Sequence, residues 1–328
     1  MKEILDQLIN QQTLSKEQAR AIMLRIAKEE FSEAEIAAFL TTYLMRPISV
    51  EELSGFRDAL LELADKVDFG GIKAIDLCGT GGDGKDTFNI STLSAVVVAG
   101  AGYKVIKHGN YGVSSVSGSS NVLEHLGYQF SNDHNALKRQ VDEDNICFLH
   151  APLFHPAMKA VGPTRRDLKV KTFFNLLGPL VNPASPSHQV VGVYDLHVAR
   201  LYQYFLQHIN RSYIVVHSLD GYDEVSLTGP AKVIGNRRED ILLPKDFGLA
   251  QHDPTMLLGG SSVAEAAIIF VDVLELNGNE AQENVVLANA GLAIQCFKPK
   301  TPLIDCVNEA REALHSKSAF KIFKSITS

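Results

Sequence analysis

Between Asp76 and Thr92 the chain reads DLCGTGGDGKDTFNIST, a stretch dense in glycine, hydroxyl and carboxylate side chains. From Gly79 to Asp86 it runs G-x-x-x-x-G-K-D, one residue short of the G-x-x-x-x-G-K-[ST] loop that cradles nucleoside triphosphates. The difference is chemical. That loop needs a hydroxyl directly after its lysine to ligate magnesium, and its helix starts at the lysine. Here Asp86 follows Lys85, and Asp86-Thr87-Phe88-Asn89-Ile90 intervene before the helical run. Asp83 inside the loop would also repel a bare phosphate. Yet Gly79, Gly81, Gly82 and Gly84 let backbone N–H groups approach an oxyanion closely. Ser91-Thr92 stand where a helix begins, at the positive end of its dipole. These residues describe a phosphate-holding loop that is not a triphosphatase loop.

A second polar loop, Lys107 to Ser119 (KHGNYGVSSVSGS), repeats the logic: glycines and serines follow a strand and precede a helix, with a lysine to meet negative charge. Two such loops on neighbouring strand ends suit two phosphate groups of one ligand. Asp223-Glu224 follows a further strand and Gly221. Paired carboxylates beside phosphate loops point to magnesium, which takes oxygen ligands and bridges to phosphate. Taken alone, an acidic dipeptide is better explained by a solvated surface loop.

These loops need elements to hold them. Residues 1–68 read as an all-helical domain, punctuated by capping boxes at Ser15/Gln18, Ser32/Glu35 and Ser49/Glu52, each followed by apolar residues at helical spacing. Pro47 stops a helix, and Gly70-Gly71 marks a boundary. Nothing in this part looks catalytic; it reads as a packing or dimerisation module. From residue 71 to 328 the texture is α/β. Strands are expected over Ile72–Leu77, Lys104–Lys107, Asn145–Leu149, Gln189–Tyr194 and Tyr213–His217. Helices are expected over Ser91–Ala101, Ser119–Leu126, Val198–Ile209 and Ser262–Leu276, with two more after Ala281 and Pro302. Alternation of this kind predicts a mostly parallel sheet flanked by helices, with ligands at the carboxyl ends of its strands.

Chain-wide properties narrow the function. A length of 328 residues exceeds the usual reach of one core, so two domains are expected. A net charge of −7 argues against general nucleic-acid or membrane binding. Apolar runs such as Ala95–Ala99 fall far short of the roughly 20 residues that span a bilayer, and the first residues carry no apolar signal segment. Cys78, Cys147, Cys296 and Cys306 are scattered without metal or disulfide spacing, as expected of a cytoplasmic protein. Cys78 reads as a small buried residue, not a reactive thiol.

The motifs GTGGD…FNIST, KHGN…SS…GS, HPAM…GPTRRDL…TFFNLLGPL.NP and G.DE.S occur in order over nearly the whole chain. Together they resemble the anthranilate phosphoribosyltransferase family. The resemblance implies a small helical domain, joined to a larger α/β domain and receiving a later segment near 165–185, in a homodimer formed through the helical domain. It implies transfer of phosphoribosyl from phosphoribosyl pyrophosphate (PRPP) to the amine of anthranilate, with two magnesium ions. The PRPP site would comprise Gly79, Gly82, Asp83, Thr87, Asn89, Ile90, Ser91, Thr92, Lys107, Gly109, Ser114, Ser115 and Ser119. Ser91, Asp223 and Glu224 would hold metal. Gly79, His108, Asn110, His155 and Arg165 would serve anthranilate, Arg165 through its carboxylate. Lys107 would act electrostatically, with no covalent nucleophile. The chain departs from the family pattern at Tyr111 and Val116, where basic residues are common, and at Asn121, where an acidic one is usual. A pyrimidine nucleoside phosphorylase shares this architecture and is the rival reading. It needs neither the Asp-Glu pair nor an arginine for a substrate carboxylate. A family member that had lost catalysis and bound nucleic acid would show a basic face and eroded loops.

Overall fold

The computed structural model describes residues 1–112, 117–209, 211–236 and 238–328. Two compact units emerge: residues Met1–Val67 with Ala151–Ser185, and residues Asp68–His150 with Pro186–Ser328. The segment that joins the helical unit starts at Ala151, earlier than the stretch around 165–185 expected from sequence.

In the helical unit, α1 (Lys2–Ile9), α2 (Lys16–Ala27), α3 (Glu33–Met45) and α4 (Val50–Leu63) surround an aromatic core. Each expected capping box is formed, at Ser15, Ser32 and Ser49. The returning segment places Phe173 against Tyr43 and stacks it on Phe56, with ring centroids 4.8 and 4.6 Å apart. Glu52, fully buried, ties the unit together. Its Oε1 accepts from Leu14 N at 2.9 Å, from the Tyr43 hydroxyl at 3.1 Å and from Arg46; its Oε2 accepts from Ser49 N at 2.9 Å and again from Arg46 at 3.1 Å. Burial alone would raise the Glu52 carboxyl, but the Arg46, Leu14 and Ser49 donors outweigh it and hold the group below the usual carboxylate range. The stability it contributes is therefore complete above the unfolded-state value and lost as pH falls through the lower folded value. Glu52→Ala strips a buried guanidinium of its partner and is expected to cost about 3–5 kcal/mol. Urea unfolding at neutral pH reads this; an unmoved midpoint would remove the network from the account of stability.

In the α/β unit a seven-stranded sheet, counted over the described residues, runs in the order β3-β2-β1-β4-β5-β6-β7. The strands are β1 (Ala74–Gly79), β2 (Lys104–Gly109), β3 (Ile146–His150), β4 (His188–Gly192), β5 (Ser212–Ser218), β6 (Ala231–Gly235) and β7 (Arg238–Leu242). β1 to β5 pair in parallel, while β6 and β7 add an antiparallel edge that the sequence reading did not anticipate. Helices Ile90–Gly100 and Glu280–Phe297 are buried along nearly their whole length, so their sequences are apolar all round rather than striped. Strand order reverses at β1, which has β2 on one side and β4 on the other. Crevices at such switch points, outside the carboxyl ends of the strands, are where open α/β sheets bind ligands.

Candidate active site

β1 runs two residues further than expected, so Gly79 is both its last residue and the first of the glycine loop. Gly81, Gly82 and Gly84 adopt φ of 65°, 79° and 72°, a region other residues enter only with strain. The outer half of the loop is anchored far along the chain: Phe88 N donates to Leu257 O at 3.1 Å, and Gly259 N donates to Asp86 O at 2.8 Å. The helix then begins at Ile90. Thr80 Oγ1, Asn89 Oδ1 and Thr92 Oγ1 are buried with no hydrogen-bond partner among the described residues. Three desolvated and unsatisfied polar atoms, two on the loop and one in the first turn of the helix that follows, suit a polar ligand.

At the end of β2, Lys107 is 2% exposed; its ammonium donates to Leu77 O and reaches Ser91 Oγ at 3.4 Å. His108 N donates to Asp76 Oδ1 at 3.2 Å, which fixes the strand end against β1. Ser119 Oγ donates to Asn110 O at 3.4 Å. Asn121 accepts from Gly112 N at 2.9 Å and Gly118 N at 3.0 Å, so this neutral side chain gathers the two ends of the loop where an acidic one was expected. Tyr111 turns its ring edge onto His150, centroids 4.6 Å apart, and its hydroxyl donates to Glu124 at 3.3 Å. Ser114, Ser115 and Val116 lie outside the described residues.

Beyond β5, Asp223 and Glu224 fold back onto the glycine loop. Asp223 Oδ2 accepts from Gly81 N at 2.9 Å, and Glu224 Oε1 accepts from Ser91 N at 3.1 Å. The helix-start amide expected to be open to phosphate is thus already engaged by a carboxylate. A Cβ on Gly192 would lie 1.5 Å from Asp223 O, and one on Gly79 would lie 2.2 Å from Asp223 Oδ2, so both positions must lack a side chain for the acidic loop to seat. Asn289, on the long buried helix, accepts from Val225 N at 3.1 Å and donates to Val225 O at 2.8 Å, holding the residue after the pair. Neither Gly192 nor Asn289 carried a sequence signal, because each acts on residues distant in the chain.

Burial, followed by the charge of Asp83, pushes Asp223 up to about 7. Burial, then Asp223 and Asp83, pushes Glu224 well above the ordinary range. A cavity of about 20 Å³ lies against Cys78, Ser91, Asp223, Glu224 and Asn289, room for about one water. Desolvated carboxylates crowded together, offering only oxygen donors, fit magnesium. Among the described residues no group of three His, Cys, Asp or Glu forms a complete metal cage.

His155 and Arg165 belong to the helical unit. His155 is 2% exposed, and burial lowers its imidazole to about 4, offset in part by a bond to the Val181 backbone; it is neutral at physiological pH. Arg165 is half-buried on the short helix Gly162–Leu168, its guanidinium 5.2 Å from the Phe174 ring centroid, while Arg166 is exposed. Burial lowers the Arg165 guanidinium from its ordinary value.

The fold and the sequence have known counterparts. Residues 71–320 match the glycosyl transferase family, a/b domain, and residues 2–64 match the glycosyl transferase family, helical bundle domain. An anthranilate phosphoribosyltransferase from Christiangramia forsetii is 55% identical over 326 residues, covering 99% of this chain and 98% of that one. The crystal structure of anthranilate phosphoribosyltransferase from Thermus thermophilus superposes with a TM-score of 0.92 at 31% identity, covering 98% of each chain. That of Saccharomyces cerevisiae in complex with PRPP and Mg gives 0.91 at 26% identity, covering 98% of this chain and 95% of that one. By fold, by full-length coverage and by identity, the chain belongs to the anthranilate phosphoribosyltransferase family.

Proposed function

We propose that this chain transfers the phosphoribosyl group of PRPP to the amine of anthranilate, using magnesium, and releases pyrophosphate and N-(5-phosphoribosyl)anthranilate. The observation that carries the reading is the acidic pair Asp223-Glu224, the first buried and the second half-buried, seated on the backbone amides of the glycine loop and of the helix start. The full-length relatives support this reading over the nucleoside phosphorylase alternative.

In the reaction the bond from ribose C1 to the pyrophosphate oxygen breaks, with its electron pair leaving on the pyrophosphate. The amine lone pair forms the new C1–N bond, and the nitrogen then loses a proton. Asp223, Glu224 and Ser91 would hold the magnesium, read as two ions, whose positive charge would stabilise the departing diphosphate. The loop residues Gly79, Gly82, Asp83, Thr87, Asn89, Ile90 and Thr92 would bind PRPP together with Gly109, Ser119 and the serines Ser114 and Ser115. Lys107 would bring a fixed positive charge to the same place, in a desolvated setting where electrostatic help is largest. Gly79, His108 and Asn110 would serve anthranilate, as would the neutral His155 and, through the substrate carboxylate, Arg165. An aromatic amine is neutral at working pH, so no strong base is required, and no covalent nucleophile enters. Burial, then Asp76, pushes the Cys78 thiol well above its ordinary range, which keeps it protonated.

We read the assembly as a homodimer formed through the helical unit, working in the cytoplasm. Among the described residues no helix is long and apolar enough to cross a membrane. The test of the reaction is the loss of anthranilate fluorescence on mixing. It is expected to need PRPP and magnesium together and to stop on chelation. Metal-independent phosphorolysis of a pyrimidine nucleoside, with no loss of anthranilate, would replace this reading with its rival.

A further inference from the structure

Lys85, the lysine of the G-x-x-x-x-G-K-D stretch, has no part in the reaction described above. Its half-buried side chain crosses to the acidic loop, where the ammonium lies 4.7 Å from the centroid of the Tyr222 ring. Tyr222 is 5% exposed and directly precedes Asp223. The contact is close along its length: a Cβ on Gly221 would stand 3.3 Å from Lys85 Cε. Asp83, Asp220 and Asp253 all bear electrostatically on Tyr222, so a cation over that ring is favoured twice, by the ring face and by the surrounding carboxylates.

The glycine loop meets the acidic loop at three points. Gly81 N donates to Asp223 Oδ2, the Asp83 carboxyl crowds that of Asp223, and Lys85 covers Tyr222. Lys85 N also donates to Asp83 Oδ1 at 3.1 Å, so its backbone steadies the second contact as its side chain makes the third. The first two use a carboxylate that magnesium would also claim. The third does not.

We propose that Lys85 and Tyr222 form a latch that holds the glycine loop on the acidic loop whether or not metal is bound, and so presets the surface that receives the metal-bound diphosphate of PRPP. Lys85 is then a positioning residue and not a catalytic one. The inference rests on the PRPP–magnesium reading above. It predicts that Lys85→Met and Tyr222→Leu each weaken PRPP binding by about 3- to 30-fold. The probe is PRPP with magnesium and no anthranilate, followed by calorimetry. The KM for anthranilate and kcat at saturating PRPP should stay within about twofold of the parent. The double variant should be no weaker than the worse single one, because both remove the same contact. Lys85→Arg and Tyr222→Phe should restore affinity, since a guanidinium over a ring, or an ammonium over phenylalanine, keeps the attraction.

If Lys85→Met weakens PRPP and Tyr222→Leu does not, the lysine binds the diphosphate directly and the latch is wrong. Losses that add in the double variant, or unchanged affinity in both singles, overturn it equally. Lys85→Met removes no core side chain and remains informative if the leucine variant folds poorly. Failure of the parent protein to bind PRPP with magnesium would sink the functional reading itself; normal parent binding with insensitive variants removes only the latch.

Discussion

Asp223→Asn combined with Glu224→Gln is expected to lower kcat/KM for PRPP by about 100-fold or more, since charge stabilisation by a metal supplies several kcal/mol at the transition state. The same double variant should be no less heat-stable than the parent in the absence of magnesium. A buried and a half-buried carboxylate neighbour each other there beside Asp83, and their desolvation and mutual repulsion oppose folding. The amides keep the oxygens that accept from Gly81 N and Ser91 N, so the loops retain their backbone bonds. Activity and stability thus move apart, which a merely structural role would not produce. Calorimetric titration with magnesium and PRPP should show the lost step as weakened metal-dependent binding. Parent-like turnover at limiting magnesium would sink the metal assignment, and a large fall in Tm would trace the lost activity to misfolding instead.

What the sequence foretold and what it hid divide along the range of the interactions. The three capping boxes are pairs of residues three apart, and all three formed, because a cap is decided within one turn. The parallel strands β1 to β5 were expected from short apolar runs between helices, and their ends moved by only a residue or two. That small drift mattered at β1, where extension to Gly79 joins strand and loop without a break. Helix Lys2–Ile9 falls within the expected helical domain but has no cap signal of its own, because Met1 offers no side-chain cap. Helix His134–Asp144 was missed because it buries only Leu137 and Val141. β7, with the sequence REDIL, is a partly exposed edge strand, and its charges mask its pairing.

In the loops, residue types spoke for phosphate and metal chemistry, yet the partners that shape them did not speak at all. Gly192 looks like any strand-end glycine until Asp223 is found where its side chain would be. Asn289 sits in an apolar helix with nothing nearby in sequence to explain an amide. The departures at Tyr111 and Asn121 became intelligible only with the structure, in which Asn121 gathers two backbone amides and Tyr111 packs on His150.

Arg165→Ala is expected to raise the KM for anthranilate about 10- to 150-fold, the equivalent of losing a charge-assisted bond of about 1.5–3 kcal/mol. Anthranilate presents a planar carboxylate ortho to the attacking amine, and a guanidinium fork matches that shape better than an ammonium does. The side chain is prepared for such a role. It is half-buried, and its guanidinium lies over the Phe174 ring, so little rotamer freedom remains to be lost on binding. Burial disfavours its charge, and an incoming carboxylate would offset that cost. Arg165→Lys keeps the charge but not the fork and should fall between parent and alanine. Arg166 is the next residue on the same short helix, but it is exposed, and it serves as the control. An ion pair made by an exposed arginine contributes under about 1 kcal/mol, so Arg166→Ala should do much less. PRPP binding without anthranilate should be unchanged in all three variants, which separates recognition of the acceptor from handling of the donor. If Arg166→Ala proves the sensitive variant, or both alanine variants leave anthranilate KM where it was, the carboxylate is held elsewhere.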